Sequence, residues 1–396
     1  MASGKTRQRK SAAAREADIG ERQATRHFRF FDNREKYLLF VTTCSEKWVV
    51  AERIGRELRH LHPTPPALKM FDAGVGDGTV LTRVMRQVHR RFPTVPLLIV
   101  AKEISLEDVR LCLDKLPDRF VEHPQTVIAV TNMYYGEAPS LIPGKAAADA
   151  ALNWYDVPLR GTTAHEFDEQ ILDLQPMLSE GWRSRPSEKS GNPLYLRPSV
   201  MVLYREDHAF SMKSFIPSRG GIDAAYDLII ASQPYRARMP SEIKARNVLV
   251  PLARAVAPGG RMIVIQGRGK DPGMEIINRI WPDEKPFQTT RRAMLDALRK
   301  QIGRSEPDLN YQALADARSV FRYHLHTLPS EVDASIGTST LMAAWNAAVY
   351  VAQIEDERLG PVLADGRYIE ATREVLHKHG GLWFNDESFI VSRKRP

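Results

Sequence analysis

The segment DAGVGDG, residues 72–78, constrains the fold of this chain more than any other part of the sequence. It follows an apolar run, residues 68–73, that is typical of a buried strand, and it precedes a helical pattern over 79–91. Three glycines at alternate positions let the backbone turn sharply and let a ligand approach the main chain. The sequence therefore predicts a strand, a tight ligand-binding turn and a helix at this point.

The same alternation of strand and helix continues on both sides of a long interruption. Strands are predicted at 68–73, 96–104, 126–131, 226–232 and 261–266, and helices at 79–91, 106–116 and 241–257. Nearly continuous apolar runs separated by helices indicate strands buried on both faces of a parallel sheet. We expect an α/β fold with a doubly wound, Rossmann-like sheet. Segments 321–328 and 384–392 are candidate final strands, with helices over 340–355 and 361–379 between them.

Four regions are predicted along the chain. Residues 1–25 read as a basic flexible tail and 26–66 as a helical cap that ends at a run of prolines. Residues 67–133 and 222–396 form the Rossmann-like domain, and 134–221 form an insertion whose part 199–215 alternates like a hairpin. We interpret the insertion as a cover over the carboxyl edge of the sheet, with an added structural layer as the alternative. Its aromatic residues would enclose an apolar or planar ligand: Trp154, Tyr155, Trp182 and Tyr195.

Composition narrows the class of protein. The chain has 43% hydrophobic and 26% charged residues, which is the globular range. Two cysteines exclude a disulfide framework and favour a cytoplasmic protein, and no apolar run is long enough to span a bilayer. The net charge of +8 is partly local, since residues 1–36 contain ten Lys and Arg against five Asp and Glu. A basic tail of this kind either contacts nucleic acid or is a solvated terminus.

The spacing within residues 72–78 separates two ligand classes. A dinucleotide turn reads GxGxxG, but here Thr79 occupies the position of the third glycine. Asp72 would repel a phosphate and suits an ammonium group. The segment resembles the first motif, DxGxGxG, of the class I S-adenosylmethionine-dependent methyltransferases. That resemblance implies S-adenosyl-L-methionine as the cofactor, with Asp72, Gly74, Gly76 and Gly78 among its binding residues.

Further cofactor-binding residues are predicted at the ends of the next strands. Glu103 ends the second predicted strand, where a carboxylate accepts both hydroxyls of a ribose. Nicotinamide enzymes share this feature, and a surface acid is the structural alternative. The family resemblance places Asn132 against the adenine. Ser232, at the end of the fourth predicted strand, is also predicted to bind the cofactor. No metal site is predicted, because His324 and His326 have no third ligand nearby in the sequence.

The fourth strand ends in Ser232-Gln-Pro-Tyr235, which resembles a degraded form of the (D/N)PPY motif of amino-group methyltransferases. Serine and glutamine replace two motif residues, which leaves both a nitrogen target and a nucleobase open. Tyr235 is the candidate catalytic residue, since its ring would stabilise a sulfonium by cation–π attraction. A tyrosine that caps the sheet edge is the alternative.

The resulting hypothesis is an enzyme that transfers a methyl group in line to a small-molecule acceptor. The alternatives are a nucleic-acid base N-methyltransferase that uses the basic tail and the SQPY motif, and a non-enzymatic binding module. The resemblance does not require a general base. Four further candidates for the catalytic site are unranked: His165, His208, Tyr134 and Tyr135.

Overall fold

The computed structural model describes residues 34–188, 191–327, 329–332 and 335–395. The predicted tail, 1–25, and the first part of the predicted cap lie outside these ranges. The strands are β1 Leu68–Asp72, β2 Leu97–Lys102, β3 Thr126–Thr131, β4 Asn153–Leu159, β5 Ser184–Pro186, β6 Pro193–Tyr195, β7 Ser199–Arg205, β8 Tyr226–Ser232, β9 Val256–Gly267, β10 Leu309–Gln312, β11 Val320–His324 and β12 Trp383–Arg393.

The helices lie mainly between these strands. They are α1 Arg34–Thr43, α2 Glu46–Gly55, α3 Thr79–Arg91, α4 Leu106–Leu113, α5 Pro117–Glu122, α6 Ala146–Ala150, α7 Ala164–Leu172, α8 Gln175–Gly181, α9 Ala209–Met212, α10 Ser241–Lys244, α11 Val250–Arg254, α12 Pro272–Ile280, α13 Arg291–Ile302, α14 Asp316–Ser319, α15 Thr338–Val351, α16 Leu359–Asp365 and α17 Arg367–His379. Short 3₁₀ helices cover Arg56–His60, Glu206–His208, Pro329–Glu331 and Asp356–Arg358. None of the helices in the described ranges has the length and apolarity that a membrane crossing requires.

One large sheet organises the described residues, in the order β10-β12-β9-β8-β1-β2-β3-β7-β4, with β11 paired to β12. The pairs β1–β2, β2–β3, β1–β8 and β8–β9 are parallel, which confirms the predicted doubly wound core. β12 is antiparallel to both β9 and β10, as expected for a final strand. Apolar side chains fill both faces of the sheet, so the carboxyl edge of the parallel strands remains the accessible place for a ligand.

The insertion extends the sheet instead of forming a separate hairpin. β7 pairs antiparallel with β3 and parallel with β4, so two strands continue the sheet beyond β3. The predicted hairpin over 199–215 is wrong, because β7 is a single strand buried at all seven residues and short helical turns follow it. Burial on both faces explains why this strand contains almost only apolar residues.

Three other element bounds differ from the prediction for local reasons. The predicted helix 241–257 ends at Arg254 and widens into a π turn at Ala245–Leu249, just before Pro251, which has no N–H to donate. The predicted helix 361–379 is broken at Gly366, whose φ of 72° is left-handed. The predicted cap helix is split between α1 and α2, where Cys44 pairs with Leu325 of the segment after β11.

Candidate functional site

The turn after β1 has the backbone that its glycines predict. Gly76 and Gly78 have φ values of 52° and 76°, a region that side chains disfavour. A Cβ on Gly78 would lie 2.8 Å from Cys112 Sγ, so this glycine lets α4 pack against the turn. A Cβ on Gly74 would meet no atom within 4 Å. Of the three glycines, Gly74 is therefore the one that faces open space.

Asp72 ends β1 beneath this turn. Its carboxyl group is 3% exposed, and its Oδ1 accepts a 3.2 Å hydrogen bond from the N–H of Gly74. Burial, with a further contribution from the nearby Glu103, raises the pKa of Asp72 to about 7. A buried carboxyl group with a raised pKa favours a cationic partner, because that partner offsets the cost of burying the charge.

Glu103 directly follows β2 and faces the same turn. Its Oε2 accepts a hydrogen bond from Gly76 N–H at 3.0 Å, and its Oε1 accepts from Ile104 at 2.7 Å and Ser105 at 2.9 Å. A carboxylate offers about four acceptor positions, so three of them are occupied by the backbone. The carboxylate is therefore held in one orientation and keeps one position for a further donor.

Asp77, within the turn, is an organising residue that sequence reasoning missed. Its carboxylate accepts from Tyr37 Oη at 3.1 Å and from Thr79, and Lys115 Nζ donates to its backbone oxygen at 2.6 Å. Burial raises the pKa of Asp77, but Lys47, Thr79 and Lys115 outweigh it, so that the net pKa falls below 3.8. Because Tyr37 belongs to α1, this contact places the helical cap over the turn. No local motif predicts a pairing 40 residues apart in the sequence.

The side chain of Asn132, which is predicted to face the adenine, is hydrogen-bonded within the protein. Its amide nitrogen donates to Gly181 O at 2.9 Å and Arg197 O at 3.0 Å, and its amide oxygen accepts from Ser199 N–H at 2.8 Å. Both N–H donors of the amide are therefore used within the protein. Asn132 fastens the insertion to the end of β3, and we leave it out of the proposed cofactor set.

Part of the insertion contacts the carboxyl edge of the parallel strands, where a ligand is expected. Trp182 Nε1 donates a 2.8 Å hydrogen bond to the backbone oxygen of Glu103, and its side chain is 2% exposed. Tyr195 stacks on Tyr134 with ring centroids 4.5 Å apart, and its hydroxyl bonds to Glu137. The insertion thus fixes the backbone next to Glu103 through Trp182.

The other two aromatic residues of the predicted cover lie elsewhere. Trp154 and Tyr155 belong to β4, the last strand of the sheet. Four strand spacings separate β4 from β1, which amounts to roughly 19 Å. These two residues match the alternative interpretation, an added structural layer away from the turn.

Tyr235 is not positioned for the role predicted for it. Its side chain is 7% exposed, and its hydroxyl donates to Gln266 Oε1 at 2.8 Å. Gln266 of β9 in turn bonds to Glu387 of β12, so the hydroxyl belongs to a buried network that joins these two strands. Lys244 Nζ lies 4.9 Å from the centroid of the ring. The face of the ring that Lys244 occupies is not available to a sulfonium.

Tyr135, one of the unranked candidates for the catalytic site, lies at the carboxyl edge of the parallel strands. Its hydroxyl donates a 2.8 Å hydrogen bond to the backbone oxygen of Pro234, in the segment that follows β8. Burial raises the pKa of Tyr135, and the charges of Glu103 and Asp72 raise it further. Lys102 Nζ lies 4.8 Å from its ring centroid. Tyr135 therefore connects the ends of β2, β3 and β8.

The end of β8 lies beside the turn. Asp72 pairs with Ile230, so that Ser232 is two residues further along the same edge. Gln233 has a φ of 50° and donates through its amide to Asp386 Oδ2 at 3.3 Å. The other oxygen of Asp386 is buried and has no hydrogen-bond partner among the described residues, and burial next to Glu46 and Asp271 raises its pKa well above 3.8.

The two histidine candidates for the catalytic site lie on the surface of the insertion. His165 and His208 lie on the insertion with side chains 80% and 34% exposed. In the described part of the chain no group of three His, Cys, Asp or Glu side chains is arranged to hold a metal ion. None of the predicted cofactor-binding residues contributes to the larger of two clefts in the described residues. This cleft is lined by residues 268–272 and 284–287 together with Met274, Glu275, Asn278, Arg322, His379, Trp383 and Asn385.

Comparison with known proteins gives structural similarity only. No protein family and no curated protein matches the chain. A geranyl diphosphate methyltransferase in complex with GPP and sinefungin is 14% identical, with 86% of this chain and 76% of that chain covered and a TM-score of 0.30. The cyclase SpnF is 14% identical, with 88% and 80% covered and a TM-score of 0.32. The rRNA methyltransferase aviRa from Streptomyces viridochromogenes is 17% identical, with 55% and 72% covered and a TM-score of 0.24.

The order of the strands is more informative than these scores. Seven neighbouring strands, β10-β12-β9-β8-β1-β2-β3, form a sheet with an antiparallel β12, and the glycine-rich turn follows its central strand β1. This is the doubly wound, Rossmann-like sheet that the sequence predicts. β4, β7 and β11 are further strands of this chain beyond these seven. A fold alone does not define an activity, so the reaction has to be argued from the site.

Proposed function

We propose that the protein is an S-adenosylmethionine-dependent methyltransferase that acts on a small-molecule acceptor. The observation that carries the proposal is a pair of carboxylates, Asp72 and Glu103, that accept hydrogen bonds from the N–H groups of Gly74 and Gly76 in a turn where Gly74 faces open space. The donor contains an ammonium group and a ribose diol, and these two groups match the two carboxylates. Glu103 would keep its bonds to Ile104 and Ser105 and exchange the Gly76 N–H for ribose hydroxyls.

The charge around the turn supports a cationic ligand over a dinucleotide. The charges of four carboxyl groups act on one another here: those of Asp72, Asp77, Glu103 and Asp108. Three lysines, Lys47, Lys102 and Lys115, offset part of this charge. The carboxyl groups outnumber the lysines, which favours a sulfonium and an ammonium over the pyrophosphate of a dinucleotide.

The chemical step follows from where the ends of the strands lie. A bound donor supplies an electrophilic methyl group, and the acceptor must approach it from the side opposite the sulfur. Tyr135 Oη donates to the Pro234 carbonyl at this edge, and the remaining lone pairs of both oxygens would orient an acceptor by hydrogen bonding. Alignment and exclusion of water are worth roughly 7 to 11 kcal/mol in favourable cases, so no strong base is required.

Two features favour a small acceptor over a nucleic acid. The hydrogen bond between Tyr37 and Asp77 holds helix α1 over the turn. The helix therefore narrows the access of an acceptor to the carboxyl edge of the sheet. A nucleobase enzyme needs an exposed aromatic face on which the flipped base stacks, and Tyr235 of the SQPY segment is buried against Lys244. We also propose a cytoplasmic location, because both cysteines are free and buried.

The space at Gly74 provides the sharpest test. Gly74→Val places a side chain where no protein atom lies within 4 Å, so the variant should fold normally and bind S-adenosylhomocysteine at least roughly tenfold more weakly. Gly136→Val is the matched control, since its Cβ also meets nothing within 4 Å. Calorimetric titration of both variants decides the matter. Equal affinities in the two would place the donor elsewhere.

A further inference from the structure

The larger cleft lies outside the proposed donor site, at the carboxyl end of β9. It has a volume of about 640 Å³ and is bounded by the loop 268–271, the first turns of α12, residues 284–287 and the start of β12. This volume is in the range of cavities that hold an organic ligand, and it is far larger than an inorganic ion needs.

The acidic groups of this cleft are already neutralised by the protein. Glu275 contacts Lys378 at 2.9 Å and His379 at 2.8 Å. Glu284 pairs with Arg238 and Arg358 at 2.6 and 2.7 Å. Their negative charges therefore contribute little to the field inside the cleft.

Asp271, the third acid, has both oxygens engaged by backbone N–H groups. Oδ1 accepts from Met274 and Oδ2 accepts from Asn385, each at 2.9 Å. The carboxyl group caps the start of α12, and its burial there raises the pKa of Asp271 to about 6. It does not offer a free acceptor to an incoming cation.

Three cations of the cleft, in contrast, have no acidic partner. Lys270, Lys285 and Arg322 are exposed, and no ion pair or side-chain hydrogen bond reaches them within the described ranges. Arg322 instead lies over the ring of Trp383, with its guanidinium carbon 5.0 Å from the centroid. Stacking leaves the edge N–H groups of a guanidinium available for an anion. The cleft therefore has an excess of positive charge among its exposed lining residues.

We propose that this cleft binds the phosphate group of an organic ligand, held by Lys270, Lys285 and Arg322. A phosphate presents three strong acceptor oxygens, one for each cation, whereas a carboxylate presents two. Trp383 and Phe287 give the organic part of the ligand an apolar wall. The site does not depend on the proposed methyl transfer, because none of the residues around the glycine-rich turn lines it.

Calorimetric titration of the full chain at about 50 mM salt tests the site and separates two sources of phosphate. The probes are inorganic phosphate, uridine monophosphate, a single-stranded RNA of twelve nucleotides, and succinate as a carboxylate control. Binding of the monophosphate indicates a small phosphorylated ligand. Binding of the RNA alone, with affinity that falls steeply as salt rises, indicates a nucleic-acid phosphate.

Paired variants assign the binding to the cleft. Lys270→Asn/Lys285→Gln removes two cations, and asparagine tolerates the left-handed φ of 58° at position 270. We expect a roughly tenfold or greater loss of phosphate affinity. Lys145→Gln/Lys213→Gln removes the same charge from exposed positions elsewhere and should bind as the wild type does. Three results would overturn the proposal. The wild type would bind none of the phosphate probes, it would bind succinate as tightly as a phosphate probe, or the two double variants would lose phosphate affinity equally.

Discussion

Replacing Asp72 with asparagine should make the ligand-free protein more stable while it removes tight donor binding. Asp72 is 3% exposed, and its pKa is about 7 compared with 3.8 for an ordinary aspartate. The native state therefore binds a proton that the unfolded chain releases above about pH 4. As a result, Asp72 makes the protein less stable as pH rises from about 4 to 7, and above about pH 7 the full cost is present.

The size of this cost follows from the shift in pKa. One pKa unit corresponds to about 1.36 kcal/mol, so the buried carboxylate costs ~4 kcal/mol above pH 7 and ~2 kcal/mol at pH 5. The asparagine amide in the variant keeps an oxygen that accepts from Gly74 N–H but carries no charge to bury. The variant should therefore gain roughly 2 kcal/mol more stability at pH 8 than at pH 5.

Urea unfolding of the wild type and Asp72→Asn at pH 5 and pH 8 measures this difference. Asp296→Asn, at an exposed position on α13, should change the stability by less than ~0.5 kcal/mol at either pH. Saturating donor should stabilise the wild type by ~2.7 kcal/mol at a hundredfold excess over its Kd, and should not stabilise the variant at the same concentration. A variant that is no more stable than the wild type at pH 8, or that binds the donor equally well, would refute the reasoning.

Four further variants test residues of the proposed site and residues predicted from the sequence to belong to it. Glu103→Gln should weaken donor binding by ~1.5 to 3 kcal/mol in calorimetry, and unchanged affinity would exclude its ribose role. Tyr135→Phe should slow transfer of a labelled methyl group into extract metabolites about tenfold at unchanged donor affinity, whereas Tyr235→Phe should lower only stability, by ~1 to 2 kcal/mol. Asn132→Ser should lower the Tm, because the Asn132 amide fastens the insertion, and should leave the donor affinity within about twofold. A large loss of donor affinity would support the predicted contact of Asn132 with the adenine.

The parallel core of the fold was predictable because its signals are local. β3, β8 and α3 have the predicted bounds, since each apolar run or helical pattern ends at a polar or glycine residue. The course of the insertion was not predictable in this way. β7 pairs with β3, about 70 residues earlier in the chain, and an apolar run does not specify its partner.

In the candidate site, too, the features that depend on local sequence were predictable, and the contacts between distant segments were not. The turn of Gly74, Gly76 and Gly78 could be predicted from spacing, because left-handed backbone requires glycine at 76 and 78. The contact between Tyr37 and Asp77, and the bond from Trp182 to the Glu103 carbonyl, join distant segments. Tyr235 could not be excluded from the sequence, because burial of its ring depends on the packing of Lys244 and Gln266.

The central claim is that the turn after β1 binds a cationic adenosyl donor and not a dinucleotide. Calorimetric titration of the wild type with S-adenosylmethionine, S-adenosylhomocysteine and NAD tests it most directly. The account predicts micromolar binding of the first two and no detectable binding of NAD, because four carboxyl groups around the turn oppose a pyrophosphate. Tight binding of NAD with no response to S-adenosylmethionine would contradict it.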